Sequence, residues 1–84
     1  MTRQDLELYI KKNFIDLKKA NIFLGQKSNT PFSIGCYEEE GIWYLYEVGE
    51  RQNIGIVKEG NEDEVIRHLY YKIRGRVGGT IWVN

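Results

Sequence analysis

Side chains that could do chemistry are few in this chain, and they do not form a recognisable catalytic set. His68 is the sole histidine and Cys36 the sole cysteine. His68 falls on or beside the polar face of its predicted helix, without a carboxylate, thiol or hydroxyl in a partner position, which disfavours a general-base role. Cys36 alternates with apolar residues, which predicts a small core side chain rather than a nucleophile. We therefore expect a protein without enzymatic activity.

Metal and phosphate sites have equally little support in the sequence. Glu38, Glu39 and Glu40 are consecutive, and neighbours in an extended segment diverge rather than converge on one ion. No glycine falls in a Gly-x-Gly-x-x-Gly or Gly-Lys-Ser/Thr phosphate loop. The sequence predicts neither a metal nor a cofactor.

The 84 residues predict a single domain, residues 1–84, because a chain of this length has room for one core. With 42% apolar and 29% charged residues, the composition is that of a folded globular protein rather than a disordered one. The first residues lack the apolar region of a signal peptide, and no apolar run approaches the roughly 18 residues of a membrane helix. We therefore expect a cytoplasmic protein with no membrane partner.

Charge is balanced overall but unevenly distributed. Residues 38–64 contain nine acidic and two basic side chains, whereas the rest of the chain contains three acidic and ten basic ones. The zero net charge removes the usual argument for nucleic-acid binding, so we expect no nucleic-acid partner. The uneven distribution is compatible with a mixed surface after folding or with an acidic face for a basic partner.

The N-terminal segment has the period of a helix. Apolar residues at steps of three and four predict a helix from about Arg3 to Ala20, and Thr2 with Asp5 forms a weak capping box at its start. Residues 22–24 are too apolar to be left in solvent, and we expect them to fold back beneath the sheet.

The middle of the chain alternates with the period of strands. Strands are predicted over residues 32–37, 42–48 and 53–58, joined by turns into a three-stranded antiparallel meander. In the central strand one face carries Ile42, Tyr44, Tyr46 and Val48 and the other carries Trp43, Leu45 and Glu47. Gly35 and Gly55 in the flanking strands leave room for a large aromatic side chain of a neighbouring strand.

A second helix is predicted from Asn61, its N-cap, to Gly75. Its buried stripe is formed by Val65, Ile66, Leu69, Tyr70 and Ile73. The predicted fold class is therefore α+β, in the order helix, three-stranded meander, helix. Residues 80–83 are open to two interpretations, a short additional strand or an ordered tail.

This element order is also that of a double-stranded RNA-binding domain. Such domains place lysines at the start of the second helix, where they bind phosphates. Here Glu59 and residues 62–64 occupy that position, and these four carboxylates would repel the phosphate backbone. We therefore predict a similar layout without RNA binding.

Several short motifs between residues 32 and 73 occur together in one known family. Trp43 and Tyr46 form a Trp-x-x-Tyr pattern, the pair Glu50-Arg51 follows at the next turn, and a later helix has an acidic start at residues 62–64 and carries Leu69 and Tyr70. This segment resembles small immunity proteins encoded beside bacterial polymorphic and contact-dependent toxins. Where that family usually has a glycine after the Glu-Arg pair, this chain has Gln52.

The resemblance implies a cytoplasmic protein without catalysis that binds one cognate toxin domain and blocks its active or partner-binding surface. Many such toxins are basic nucleases, which an acidic surface captures by electrostatic complementarity. The hypothetical toxin-binding residues are Glu38, Glu39, Glu40, Trp43, Tyr44, Tyr46, Glu47, Glu50 and Arg51. For Trp43 the alternative is packing in the core. The alternative function is a small non-catalytic interaction or regulatory module unrelated to toxins.

Overall fold

The computed structural model describes residues 1–78, so residues 80–83, with their open choice between strand and tail, lie outside the described residues. The elements in chain order are helices α1 (Arg3–Lys12) and α2 (Leu17–Ala20), strands β1 (Ile22–Leu24), β2 (Ile34–Glu39), β3 (Ile42–Val48) and β4 (Ile54–Gly60), helix α3 (Glu62–Ile73), and a π-helical turn (Arg74–Gly78). The predicted α+β class is confirmed.

The sheet has four strands in the order β1-β2-β3-β4, so the prediction of a three-stranded antiparallel sheet is wrong in one element. β2, β3 and β4 form the predicted antiparallel meander. Residues 22–24 do not lie beneath this meander but extend it as β1, which is parallel to β2. A continuous apolar run of three residues has no period that would distinguish a strand from a packed loop.

The predicted helix from Arg3 to Ala20 is interrupted. Thr2 and Asp5 form the expected reciprocal capping box of α1, but this helix ends at Lys12. Phe14 follows with a φ of 55°, and its side chain is 94% exposed instead of buried. The carboxylate of Asp16 then caps the start of α2. The break therefore lies between Asn13, the C-cap of α1, and Asp16, the N-cap of α2.

Helix α3 begins as predicted, because the side chain of Asn61 accepts a hydrogen bond of 2.8 Å from the amide of Glu64. Its buried residues are Val65, Ile66, Leu69 and Ile73, and Tyr70 is partly buried. Gly75 does not end the helical segment. Arg74 keeps right-handed helical dihedrals, and the chain continues into the π-helical turn.

The two faces of the sheet are covered differently. On the face that we call the helix face, side chains such as Cys36 and Leu45 pack with residues of α1 and α3 into the core. The opposite face, which we call the loop face, is crossed by residues 25–33, the connection between β1 and β2. There the hydroxyl of Tyr46 donates a hydrogen bond of 2.7 Å to the carbonyl of Gln26. Tyr46 is fully buried as a result.

Both hairpin turns place a residue other than glycine in the left-handed region. Glu40 and Gly41, with φ of 53° and 82°, form a two-residue turn of type I′ between β2 and β3. In the turn between β3 and β4, Gln52 has a φ of 65°, and its amide donates to the carbonyl of Gly49. Gln52 thus has a backbone conformation that glycine adopts without strain.

Replacing Gln52 with glycine should therefore raise the free energy of unfolding by about 0.5 to 1 kcal/mol, because a residue with a Cβ is strained at this φ. Urea denaturation of the wild type and the variant measures the difference. Gln52→Ala is the matched control, since it removes the exposed side chain but retains the Cβ. A gain of equal size in Gln52→Ala would show that the backbone conformation is not the cause.

Candidate protein-binding surface

Tyr44 lies on the loop face near the turn between β2 and β3. Its cross-strand neighbours are Tyr37 on β2 and Glu59 on β4. The rings of Tyr37 and Tyr44 stack with their centroids 5.1 Å apart and their planes 21° from parallel. This stacking holds the half-buried Tyr44 ring in place on the sheet.

Carboxylates surround Tyr44. The pKa of its hydroxyl is raised, first by partial desolvation and then by the negative charges of Glu59, Glu39 and Glu40. Glu39 forms an ion pair with Lys27 at 3.5 Å, whereas within residues 1–78 neither Glu40 nor Glu59 has a cation within 4 Å. We call this end of the sheet, with residues from both of its faces, the acidic end and define it as Glu38, Glu39, Glu40, Ile42, Tyr44 and Glu59.

Glu38 and Ile42 complete the acidic end at the tip of the hairpin. Glu38 pairs across the strands with Trp43, so its side chain points to the helix face, opposite to that of Tyr44. It is exposed and has no cation within 4 Å among the described residues. The side chain of Ile42 is 41% exposed and pairs across the strands with Glu39. The acidic end therefore combines uncompensated negative charge with a small exposed apolar area, which suits contact with a positively charged protein surface.

Two of the aromatic residues predicted to bind a partner are not freely accessible. Trp43 lies on the helix face, where it is partly buried and packed against the core. This position agrees with the alternative prediction that Trp43 packs in the core. Tyr46 is 0% exposed, so the folded monomer offers no part of its ring to a partner. Tyr44 is partly exposed on the loop face and lies beside the carboxylates of Glu39, Glu40 and Glu59.

The predicted charged residues are divided among separate places. Glu47 lies on the helix face and pairs with Lys72 at 2.9 Å. Glu50 and Arg51 lie in the turn between β3 and β4, at the far end of β3, about 20 Å from the hairpin tip for a strand of seven residues. The structure thus brings Glu39, Glu40 and Tyr44 together and places Glu38 at the same end of the hairpin but on the opposite face. It does not add the other five predicted residues to this group.

Glu59, Tyr37 and Lys27 are not among the residues predicted to bind a partner. Glu59 joins the acidic end through the strand register, in which a bulge at Val57 shifts the pairing between β3 and β4 by one residue. Period-two alternation places residues on a face but does not fix this register. Lys27, whose ammonium lies 4.9 Å from the Tyr37 ring centroid, comes from the connection between β1 and β2 and has no sequence signal of its own.

The residues with possible catalytic chemistry remain apart. Cys36 is fully buried in the core, as predicted, and burial raises the pKa of its thiol. His68 is exposed on α3, beside a shallow depression that it shares with residues such as Glu64 and Arg67. Within residues 1–78, no three side chains of the His, Cys, Asp or Glu type are placed to hold a metal ion. The helices of the described part are all too short or too polar to cross a membrane.

Comparisons of the chain with protein-family models, with curated proteins and with solved structures found no match. The acidic end is therefore the observation on which a function is proposed.

Proposed function

We propose that this protein neutralises a cognate bacterial toxin domain by binding it through the acidic end and covering its active or partner-binding surface. The observation that carries the proposal is the position of Tyr44, stacked on Tyr37 and surrounded by carboxylates. Glu38, Glu40 and Glu59 form no ion pair within the described chain, so no internal salt bridge must break before they meet a basic partner.

The chemistry of the acidic end favours a basic partner. Negative charge on one protein and positive charge on the other accelerate association and exclude partners of the wrong sign. A basic nuclease domain has a positively charged substrate site, which a carboxylate-rich surface would occupy in place of the nucleic acid. Tyr44 would supply the central contact, because tyrosine buries a large ring at a low cost in conformational entropy.

The same surface would also fit a basic partner that is not a toxin, which is the alternative of a general interaction module. Co-expression with the product of the neighbouring gene separates the two functions. We expect that product to stop growth when it is expressed alone, and we expect this protein to restore growth and to co-purify with it. A neighbouring product that is harmless alone would contradict the neutralising function but not the interaction module.

Glu59→Lys should weaken binding of the cognate domain by about tenfold or more, mainly because association becomes slower. Glu50→Lys is the matched control, because it makes the same change of charge at an exposed residue at the other end of β3. We expect Glu50→Lys to change the affinity by no more than about twofold. Biolayer interferometry at low and at moderate salt measures both rates. Equal weakening by the two variants would contradict binding through the acidic end.

A further inference from the structure

A second surface lies away from the acidic end, in a cleft between α1, α2 and β1. Its volume is about 620 Å³, which is within the range of ligand and peptide sites. Ile10 of α1, Leu17 of α2 and Leu24 of β1 contribute apolar lining. None of the six residues of the acidic end lines this cleft.

One wall of the cleft is the open edge of the sheet. The amide of Gly25 donates to the carbonyl of Cys36, and the carbonyl of Asn21 accepts from the amide of Ile34. Because peptide groups alternate in direction along a strand, those of Ile22 and Leu24 point away from β2. β1 is the outermost strand of the described sheet, so these donors and acceptors face the cleft without a partner strand.

The rim of the cleft is positively charged. Lys11 and Lys18 line it, and neither has a carboxylate within 4 Å among residues 1–78. Arg3 lines it as well, with its Nε 3.5 Å from a carboxylate oxygen of Glu7. That Nε is buried and has no hydrogen-bond acceptor in the described part of the chain. Three cations against one carboxylate favour a ligand with negative charge.

We propose that this cleft binds an extended acidic segment of a partner protein, which pairs with β1 as an additional strand. The open edge offers backbone hydrogen bonds over three residues, about 10 Å. Apolar side chains of the segment enter between α1 and β1, and its carboxylates meet Arg3, Lys11 and Lys18. This site is independent of the toxin-binding function, because it uses other residues and a partner of opposite charge.

The first test uses a fluorescein-labelled peptide of sequence Glu-Val-Glu-Val-Glu-Val-Glu, with both termini blocked, in a fluorescence anisotropy titration. We expect saturable binding to the full chain and none for the matched Lys-Val-Lys-Val-Lys-Val-Lys peptide. Lys11→Glu/Lys18→Glu should weaken binding by about tenfold or more. Lys12→Glu/Lys19→Glu is the matched control, because it makes the same change of charge at exposed neighbours that do not line the cleft. We expect it to weaken binding by no more than about threefold.

The second test examines strand pairing. N-methylation of alternate peptide nitrogens removes the donors that would face β1, so it should weaken binding by about tenfold, and amide NMR shifts on addition of the unmodified peptide should centre on Ile22 and Leu24. Absence of saturable binding, equal loss in both lysine double variants, or unchanged affinity of the N-methylated peptide would each overturn the proposal. Binding that arises only in a chain lacking residues 79–84 would assign the cleft to those residues instead of a partner, and would overturn it too.

Discussion

Replacing Gly35 with alanine should lower the free energy of unfolding by about 3 kcal/mol, whereas the same replacement at Gly55 should change it by no more than about 0.5 kcal/mol. A Cβ at Gly35 would lie 2.4 Å from the carbonyl oxygen of Phe23 and 2.6 Å from the hydroxyl oxygen of Tyr46. The first of these atoms belongs to the backbone of β1, and the second is held by the carbonyl of Gln26. Neither can move without breaking contacts of the sheet.

Gly55 provides the matched control because it occupies the other strand beside β3. The nearest atom to a Cβ there is 4.0 Å away, which is an ordinary contact. Of the two glycines predicted to make room for a neighbouring aromatic residue, Gly35 does so for Tyr46 and Gly55 does not. Thermal and urea unfolding of the two variants measure the difference. Equal destabilisation by both variants would contradict the close packing of Tyr46 on Gly35.

Replacing Tyr46 with phenylalanine should lower the free energy of unfolding by about 1 kcal/mol at pH 7. At high pH the variant should instead be more stable than the wild type. At neutral pH the variant loses the hydrogen bond of 2.7 Å to the carbonyl of Gln26. The ring itself still fills its place on the loop face. The deficit is therefore that of one hydrogen bond rather than that of a cavity.

At high pH the wild type becomes the less stable protein. Burial, together with neighbours such as Cys36 and Tyr37, raises the pKa of Tyr46 to about 12. An unfolded tyrosine has a pKa of about 10, so this group contributes its full stabilisation below pH 10 and loses it between about pH 10 and pH 12. The loss amounts to roughly 2 to 3 kcal/mol, at about 1.4 kcal/mol for each pH unit. Tyr46→Phe does not have this loss, so the two stability curves should cross above pH 10.

Urea denaturation between pH 7 and pH 12 measures the crossing. Other groups that titrate in this range are present in both proteins, so the difference between the curves reports on Tyr46 and on its coupling to Cys36 and Tyr37. Tyr71→Phe is the control, since the ring of Tyr71 is 59% exposed and its hydroxyl makes no hydrogen bond within the described residues. It should follow the wild type throughout. Parallel curves for wild type and Tyr46→Phe would contradict a buried neutral hydroxyl.

The meander and the last helix could be predicted because their signals are local. Alternation over residues 42–48 and the cap at Asn61 each arise from neighbours in the sequence. β1 could not be predicted in the same way. Its three residues pair with β2 only after residues 25–33 have crossed the loop face, and nothing in a continuous apolar run specifies that parallel partner.

In the first predicted helix, the regular spacing of apolar residues masked a helix N-cap in the middle of the segment. Leu6, Tyr9, Ile10, Phe14 and Leu17 continue one helical pattern in the sequence. In the structure Phe14 is exposed, and Ile15 is among the residues that pack against the core. Asp16 is a good N-cap residue that the apolar pattern outweighed.

The acidic end could be predicted only in part. Glu39, Glu40 and Tyr44 are close in sequence and stay close in space, whereas Glu38 points to the opposite face of the hairpin. Glu59 joins them through the bulged pairing of two strands, a contact that depends on register rather than on composition. Glu50 is separated from this group by the length of β3. A count of charges along the sequence does not show this separation.

The bulge at Val57 also bears on how copies of this chain behave at high concentration. β4 is an outer strand of the described sheet, and Ile54, Ile56 and Val57 on it are between 40% and 46% exposed. A regular strand of this composition would be a template for amyloid-like stacking. The extra residue bends and twists the strand, and Lys58 places a cation in its middle, so an incoming strand cannot remain in register along its length. The irregularity that positions Glu59 is therefore also expected to disfavour edge-to-edge pairing of copies along β4.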